Sequence, residues 1–244
     1  MKSSKPSRHI RHENDAYYTP DWVTTLVIPF VPELANRTAV VLDPAAGRGD
    51  LLKALRAGGA VCGFEALEID GDAAKACSEH SAWCLQRDAL TSEPWASPPN
   101  PQPGAVVMNP PFSHAERFAR RALAEVKHGG TVAAFLRLAF LESEERSAFL
   151  REWAPDVRVL WRRPSFTGDG KTDGTAYAWM IWRAGMPRSE GVVSVLDCPP
   201  APPRRPRKAR KAAPAAPVAP PIVPEQPMDN LRALMARLQA AVKP

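Results

Sequence analysis

A short run of chemically distinct residues, Asn109-Pro110-Pro111-Phe112, directly follows the apolar stretch 105–108. Consecutive prolines restrict φ and remove two N–H donors, so the turn is stiff and its carbonyls remain available as hydrogen-bond acceptors. The Asn109 amide adds a further acceptor, and the Phe112 ring offers a face for stacking. The run therefore predicts a receptor for a flat group that carries an NH₂ substituent.

A second run, Asp43-Pro44-Ala45-Ala46-Gly47-Arg48-Gly49-Asp50, contains two glycines between an apolar stretch and a helical pattern. Glycine permits a tight turn and lets a ligand approach the backbone, because no Cβ stands in the way. The run lacks the GK[ST] of a phosphate-binding loop and the three-glycine dinucleotide spacing, and it adds an acid that would repel phosphate. A cationic or zwitterionic cofactor fits better than a nucleotide phosphate. A plain strand-to-helix turn is the alternative interpretation.

Acidic residues follow two further apolar stretches. Glu68 lies 25 positions after Asp43, near the ~20-residue offset at which an acid receives ribose hydroxyls in doubly wound folds. Asp88, followed by Ala89, comes after the stretch 82–86. Each acid taken alone could be a solvated loop residue. All three stand where a predicted strand ends, and this shared placement favours one ligand site.

The elements that must position these residues alternate along residues 15–198. Apolar runs predict strands, and 3.6-residue periodicity predicts helices between them. The predicted strands are 38–43, 60–69, 82–86, 105–108, 131–138 and 157–160, and the predicted helices are 51–57, 72–80, 114–127 and 142–153. This alternation predicts an α/β fold with a mostly parallel sheet covered on both faces by helices. Ligands then bind at the carboxyl ends of the strands.

Composition excludes several classes of protein. Hydrophobic residues make up 45% and charged residues 24% of the 244-residue chain, and no apolar run approaches the ~18 residues of a membrane span. The basic N-terminus lacks the apolar segment of a secretory signal, so a cytoplasmic protein is expected. The four cysteines form no CxxC pair, which argues against a zinc site or a disulfide framework, and no metal is predicted.

Charge and composition together divide the chain into four predicted segments. Residues 1–14 form a basic arm of net charge +3, residues 15–198 form the core domain of net charge −4, and residues 199–244 carry +7. Within the last part, eleven prolines among residues 199–227 predict an unfolded linker, and residues 228–244 predict a short amphipathic helix. Basic arms suit a polyanion such as nucleic acid, although they also keep a protein soluble.

The Asn-Pro-Pro-Phe run resembles the [ND]PP[YF] motif of the S-adenosylmethionine-dependent amino-methyltransferases, in which it follows the fourth strand. Asparagine in first place is typical of the adenine-N6 enzymes. Tyr17-Tyr18-Thr19-Pro20 is similar to the family's N-terminal cofactor motif, and residues 163–179 are similar to a stretch of small phage- and prophage-encoded adenine methylases. The resemblance covers about residues 16–183. It implies a Rossmann-like methyltransferase fold with a C-terminal antiparallel hairpin, whose second strand is 177–182.

The resemblance also implies a cofactor, S-adenosylmethionine, and the residues that bind it. Residues near the amino-acid end of the cofactor would be Tyr18, Thr19, Pro20, Asp43, Ala45 and Gly47. Glu68 would accept hydrogen bonds from the ribose hydroxyls. Asp88 would accept one from the cofactor's adenine amine, with Ala89 beside it.

The catalytic residues implied by the resemblance are Asn109, Pro110, Pro111 and Phe112. Asn109 and the Pro110 carbonyl would hold the target N6 amine, and Phe112 would stack on the target base. Such a pocket requires a base that is flipped out of the duplex or taken from a single strand. Because little sequence separates the last predicted strand from the linker, any sequence selectivity would reside in the loops 90–104 and 165–175.

The implied partner is DNA, with residues 1–14 and 204–211 contacting phosphates, no membrane association, and self-association through the helix 229–242. Two other substrates are open, since enzymes that methylate a protein glutamine share an NPP[YF] motif and an RNA base carries the same amine. A degenerate methyltransferase fold that only binds nucleic acid is the non-enzymatic alternative.

Overall fold

Eight strands form one sheet in the computed structural model, which describes residues 19–91, 93–96, 102–166, 172, 174–188 and 190–200. The chain divides into two units, 1–201 and 202–244, and every described residue lies in the first. Tyr18, the basic segments 1–14 and 204–211, the linker beyond Pro200 and the predicted helix 228–244 lie outside the described residues.

The sheet is mixed but mostly parallel. Its strands are β1 Val40–Asp43, β2 Gly63–Glu68, β3 Trp83–Gln86, β4 Ala105–Met108, β5 Thr131–Arg137, β6 Asp156–Leu160, β7 Tyr177–Arg183 and β8 Val193–Leu196. Their spatial order is β3-β2-β1-β4-β5-β7-β6-β8. Among the described strands, β7 alone runs antiparallel to its neighbours, β5 and β6. The predicted antiparallel hairpin of β6 and β7 is confirmed.

Helices cover both faces of the sheet. They are α1 Asp21–Thr25, α2 Asp50–Ala57, α3 Gly71–Cys77, α4 Ala115–Glu125 and α5 Ser147–Glu152, with 3₁₀ turns at Ile28–Phe30, Pro32–Ala35, Phe112–His114 and Leu138–Leu141. No helix in the described part of the chain is long and apolar enough to span a membrane.

Successive strand residues enter two separate cores. On β1, Val41 packs with Phe64 in a core that α1, α2 and α3 cover. The next residue, Leu42, packs with Phe118 and Phe149 in a core that α4 and α5 cover. This alternation follows from the two-residue period of a strand, and the continuous burial of both faces explains why the inner strands read as uninterrupted apolar runs.

The order of the strands reverses direction between β1 and β4. The chain proceeds outward from β1 through β2 and β3 on one side, then returns to place β4 and β5 on the other. In doubly wound sheets, such a reversal opens a crevice at the carboxyl ends of the two central strands, where ligands bind. The residues that follow β1 and β4 are those of the glycine run and the Asn-Pro-Pro-Phe run.

Three elements differ from the sequence-based expectation. The predicted helix 142–153 is shortened to α5 Ser147–Glu152, because Leu138–Leu141 forms a 3₁₀ turn and the Ser147 N–H donates to the Glu144 carbonyl in a further turn. Helix α1 was not predicted, since five residues are too few for periodicity. Strand β8 was not predicted either, because its pairing with β6 depends on residues 36 positions away.

Candidate active site

Four polar residues lie at one edge of the sheet. Asp43 ends β1, Glu68 ends β2, Asp88 follows β3 and Asn109 follows β4. Because these four strands are parallel, their carboxyl ends share that edge. The structure therefore brings the glycine run, the Asn-Pro-Pro-Phe run, Glu68 and Asp88 to the same edge of the sheet.

The glycine turn connects β1 to α2 with two residues in the left-handed region. Gly47 has φ +53° and Gly49 has φ +85°. A Cβ on Gly49 would come within 3.1–3.2 Å of His80 and Cys77, and its positive φ is one that other residues rarely adopt, so both packing and backbone conformation favour glycine here. A Cβ on Gly47 would meet no atom within 4 Å. The backbone at Gly47 consequently borders open space, as a turn that admits a ligand must.

Glu68 fastens this turn to the end of β2. Its Oε2 accepts a 2.7 Å hydrogen bond from the Gly47 N–H, and its Oε1 accepts a 2.9 Å bond from the Asp70 N–H. A carboxylate has about four acceptor positions, so these bonds leave capacity for hydroxyl donors. Glu68 thus has a structural role that the sequence did not indicate.

Asp43 is a buried carboxyl, with 1% of its surface exposed. Its Oδ1 accepts a 3.1 Å hydrogen bond from the Ala45 N–H. Burial raises the pKa of Asp43 from its ordinary value of 3.8 to about 7, the Ala45 bond opposes the rise, and the nearby Glu68 carboxylate adds to it. Charge on Asp43 is costly here, and a cation beside it would stabilise the ionised form.

Asp88 and Ala89 begin the loop after β3. Asp88 is exposed, and its Oδ1 accepts a 2.8 Å bond from the Leu90 N–H. Ala89 is buried, and its carbonyl accepts a 2.8 Å bond from Nε1 of Trp95, which is itself 1% exposed. This anchor holds the start of a loop that would otherwise be free to vary. Sequence reasoning missed Trp95, whose only signal was a large aromatic residue in a proline-rich segment.

Asn109 is oriented by Thr19, the first residue that the structure describes. Its Nδ2 donates a 2.8 Å hydrogen bond to Oγ1 of Thr19, which is 4% exposed. Pro20 follows at the N-terminal end of α1, where its carbonyl accepts a 2.8 Å bond from the Val23 N–H. The structure thereby joins the N-terminal motif to the Asn-Pro-Pro-Phe turn.

The two prolines of the turn have different surroundings. Pro110 is buried, whereas Pro111 is half-buried and its carbonyl accepts a 2.9 Å bond from the His114 N–H. That bond closes the 3₁₀ turn Phe112–His114, from which α4 continues. The Pro111 carbonyl is therefore used to shape the turn.

Phe112 lies at the margin of an aromatic cluster. Its ring centroid is 5.9 Å from that of Tyr177, which stacks at 5.4 Å on the buried Phe135. The Arg137 guanidinium lies 4.5 Å from the Phe112 centroid. Neither Tyr177 nor Arg137 was predicted as a site residue. Arg137 could have been found by the feature that identified Glu68, because each is a polar residue at the carboxyl end of a strand.

No protein-family model matches the chain, and no curated protein is significantly similar to it in sequence. Solved structures are similar in fold. A protein of Listeria monocytogenes, assigned as a class I S-adenosylmethionine-dependent methyltransferase, superposes with a TM-score of 0.55 at 14% identity, over 77% of this chain and 67% of that one.

Two further neighbours extend the comparison. The methyltransferase subunit of a type I restriction-modification system from Streptococcus thermophilus has a TM-score of 0.59 at 19% identity, over 73% of this chain and 47% of that one. A protein of Pyrococcus horikoshii assigned as an RNA methyltransferase has a TM-score of 0.52 at 16% identity, over 70% and 88% of the two chains.

These likenesses define the class of fold. The chain has the Rossmann-like fold of the class I S-adenosylmethionine-dependent methyltransferases, and the predicted fold class is confirmed. The description of the Listeria protein names the cofactor that the sequence had predicted for this chain.

Proposed function

We propose that the protein transfers a methyl group from S-adenosylmethionine to the exocyclic N6 amine of adenine in DNA. The observation that carries this proposal is the position of the Asn109-Pro110-Pro111-Phe112 turn. It follows β4, which pairs directly with β1, and β1 leads into the glycine turn. A receptor for a flat amine and an acceptor-rich turn for a cationic cofactor thus lie at adjacent strand ends.

The residues at the glycine turn fit the cofactor. Space beside Gly47 admits a ligand against the backbone, and Asp43 and Glu68 supply negative charge and acceptors for cationic and hydroxyl groups. The proposed cofactor residues are Tyr18, Thr19, Pro20, Asp43, Ala45, Gly47, Glu68, Asp88 and Ala89. S-adenosylmethionine, when bound, supplies an electrophilic methyl group on a positively charged sulfur.

Asn109 and the Pro110 carbonyl hold the hydrogens of the target amine. The N6 lone pair of adenine is delocalised into the ring, so two acceptors that bind its hydrogens favour the pyramidal nitrogen needed for attack. The same acceptors would stabilise the positive charge that develops on nitrogen as the nitrogen–methyl bond forms and the sulfur–methyl bond breaks. The neutral thioether would leave, and the methylated nitrogen would lose one proton to water. The bond from Asn109 to Thr19 keeps the amide in one orientation before the base arrives.

Phe112 stacks on the target base after the base has flipped out of the DNA duplex. Unstacking costs a few kcal/mol, and base–aromatic stacking returns about 1–3 kcal/mol. Tyr177 holds the Phe112 ring in place, because Tyr177 is almost fully buried and is itself stacked on the buried Phe135. The basic segments 1–14 and 204–211 are proposed to contact phosphates along the substrate.

RNA is the second candidate substrate, because the Pyrococcus neighbour is assigned as an RNA methyltransferase and an RNA adenine presents the same amine. A methyl-transfer assay separates the candidates. The protein is incubated with S-adenosylmethionine and duplex DNA, single-stranded DNA, RNA or glutamine-containing peptides, and products are identified by mass spectrometry.

The expected product is N6-methyladenine in DNA. Reactions without cofactor provide the baseline, and a thermal-shift measurement with S-adenosylmethionine establishes whether the protein binds it. Methylated glutamine, or cofactor binding without transfer to any nucleic acid, would contradict the proposal.

A further inference from the structure

Arg137 places a positive charge beside the proposed base pocket. It is the last residue of β5, the strand that pairs with β4, so its backbone lies at the same edge as Asn109. Its guanidinium lies 4.5 Å from the centroid of the Phe112 ring, within the range of a cation–π contact. The ring face that Arg137 covers cannot stack on a base at the same time.

The hydrogen-bonding state of Arg137 is unusual among the arginines that contact rings. Six others do so in the described part of the chain, and each donates to at least one oxygen; they are Arg56, Arg120, Arg121, Arg146, Arg158 and Arg162. The Nε of Arg137 is buried without a hydrogen-bond partner, as is that of Arg158, but Arg158 donates through Nη1 to Ser194. Within the described residues, no ion pair compensates the charge of Arg137 either.

A buried donor that lacks an acceptor destabilises the folded protein, and the effect is larger for a charged group. A guanidinium cannot escape this cost by losing its proton. Its natural complement is an anion with two oxygens, because the planar fork of N–H groups matches phosphate and carboxylate geometry. An unpaired guanidinium beside a base pocket is therefore suited to a ligand that brings its own anion.

We infer that Arg137 is a specificity-determining residue, which donates hydrogen bonds to a phosphodiester oxygen close to the target base. This inference rests on the proposed function and deepens it. A nucleic acid carries a phosphate at every nucleotide, whereas a glutamine side chain in a peptide carries none. Arg137 would thus favour polynucleotides over proteins, and its contact with Phe112 would link recognition of the phosphate to placement of the ring.

The test compares Arg137→Gln with a matched variant, Arg146→Gln. Arg146 also contacts a ring, at 5.0 Å from the Phe140 centroid, but it donates to the Ala139 and Phe140 carbonyls. DNA affinity is measured as a function of salt. The salt slope is the steepness with which log K for DNA falls as log salt rises. Arg137→Gln should weaken binding about tenfold and reduce the salt slope by about 0.9 for a duplex or about 0.7 for a single strand. Arg146→Gln should leave the slope unchanged.

Arg137→Lys provides the second measurement. Lysine keeps the charge and loses the planar fork, so the salt slope should be retained while KM for DNA rises several-fold and kcat changes less than twofold. If Arg137→Gln fails to fold, the kinetics of Arg137→Lys test the assignment alone. An unchanged KM for DNA in that variant would overturn it. Deoxyadenosine monophosphate, which carries a terminal phosphate, is used as a competitor of DNA. Its inhibition constant should be the same for the unaltered protein and for Arg137→Lys, because only binding of an internal phosphodiester is expected to depend on Arg137.

Different results would contradict the proposed function and the assignment of Arg137. If the unaltered protein methylates no nucleic acid, the proposed function is wrong. If it methylates DNA and Arg137→Gln binds DNA with an unchanged affinity and salt slope, the assignment of Arg137 alone is overturned. Unchanged cofactor binding in the variants, measured by calorimetry, confirms that the fold and the glycine turn are intact.

Discussion

The side chains of Thr19 and Asn109 are joined by a 2.8 Å hydrogen bond across 90 positions of sequence. Because the amide is planar and its nitrogen points to Thr19 Oγ1, its oxygen lies on the other side. Thr19 is buried, so water competes little for this bond. The N-terminal segment thereby controls the orientation of the residue proposed to hold the target amine.

Replacing Thr19 by valine should reduce kcat for methyl transfer by about two- to tenfold. A neutral hydrogen bond contributes about 0.5–1.5 kcal/mol, and 1.4 kcal/mol corresponds to a factor of ten. Thr19→Ser keeps the hydroxyl and should retain most of the activity. Steady-state kinetics give kcat and KM separately, and calorimetry gives cofactor affinity. Equal kcat in the valine and serine variants would contradict the positioning role of Thr19.

Asn109→Ala should lower methyl transfer by about 10²–10³-fold, the usual effect of removing one preorganised hydrogen-bonding group at a reacting centre. Cofactor affinity should be largely preserved, because the lost acceptor is used mainly in the transition state. Single-turnover assays and calorimetry measure the two quantities. Asn36→Ala, which alters an exposed asparagine before β1, is the control. Activity near the wild-type level in Asn109→Ala would refute its catalytic role.

Glu68→Ala should weaken S-adenosylmethionine binding by roughly 2 kcal/mol, since each hydrogen bond to a charged group contributes about 1.5–3 kcal/mol before non-additivity. The melting temperature should also fall, because the carboxylate holds the Gly47 and Asp70 N–H groups. Calorimetry and thermal unfolding separate the two effects. Glu79→Ala removes an exposed acid just after α3 and should change neither. A lower melting temperature with unchanged affinity would restrict Glu68 to its structural role.

Asp43 should make the free energy of unfolding decrease as pH rises from about 4 to 7. Its pKa is 3.8 ordinarily and about 7 in the fold, so in this window the folded state binds the proton and the unfolded state does not. The slope is then negative, by at most about 1.4 kcal/mol per pH unit. Denaturant unfolding at several pH values measures it, and Asp43→Asn should flatten this part of the profile.

Cofactor affinity should have the opposite dependence on pH. A cation favours ionised Asp43, so S-adenosylmethionine should bind up to about tenfold more weakly at pH 6 than at pH 8. Asp43→Asn should bind weakly with little change between these pH values. An unchanged pH dependence in this variant would assign the titration to another group.

The proline-rich tail is best removed after Pro200, because Arg162 donates to the carbonyls of both Pro199 and Pro200. Six Lys/Arg lie between residues 204 and 211, and each phosphate contact they make adds about 0.9 to the slope of log K against log salt for a duplex. Truncation should therefore flatten the salt dependence of DNA binding uniformly across sequences and leave cofactor affinity unchanged.

A second truncation, after Pro227, separates this charge effect from any self-association by residues 229–242. It should retain the salt slope of the full chain. If removing residues 201–244 does not change the slope, the tail does not contact the phosphates.

The sequence alone was sufficient for the class of fold and for the placement of four candidate residues at one edge of the sheet. Apolar runs and helical periodicity are local properties, and β4 was predicted to the residue. Asp43, Glu68, Asp88 and Asn109 could be assigned to one edge because parallel strands bring their carboxyl ends together, whatever their order in the sheet. Restricted φ at the two prolines likewise depends only on the residues themselves.

Only the tertiary structure decided which distant groups meet. The bond between Thr19 and Asn109, the contact of Arg137 with Phe112 and the pairing of β8 with β6 depend on the packing of segments far apart in the chain. The raised pKa of Asp43 also required the fold, since burial comes from the layers above and below the sheet. Local propensity contains none of this information, because contact distance and solvent exclusion arise when the two cores close around the sheet.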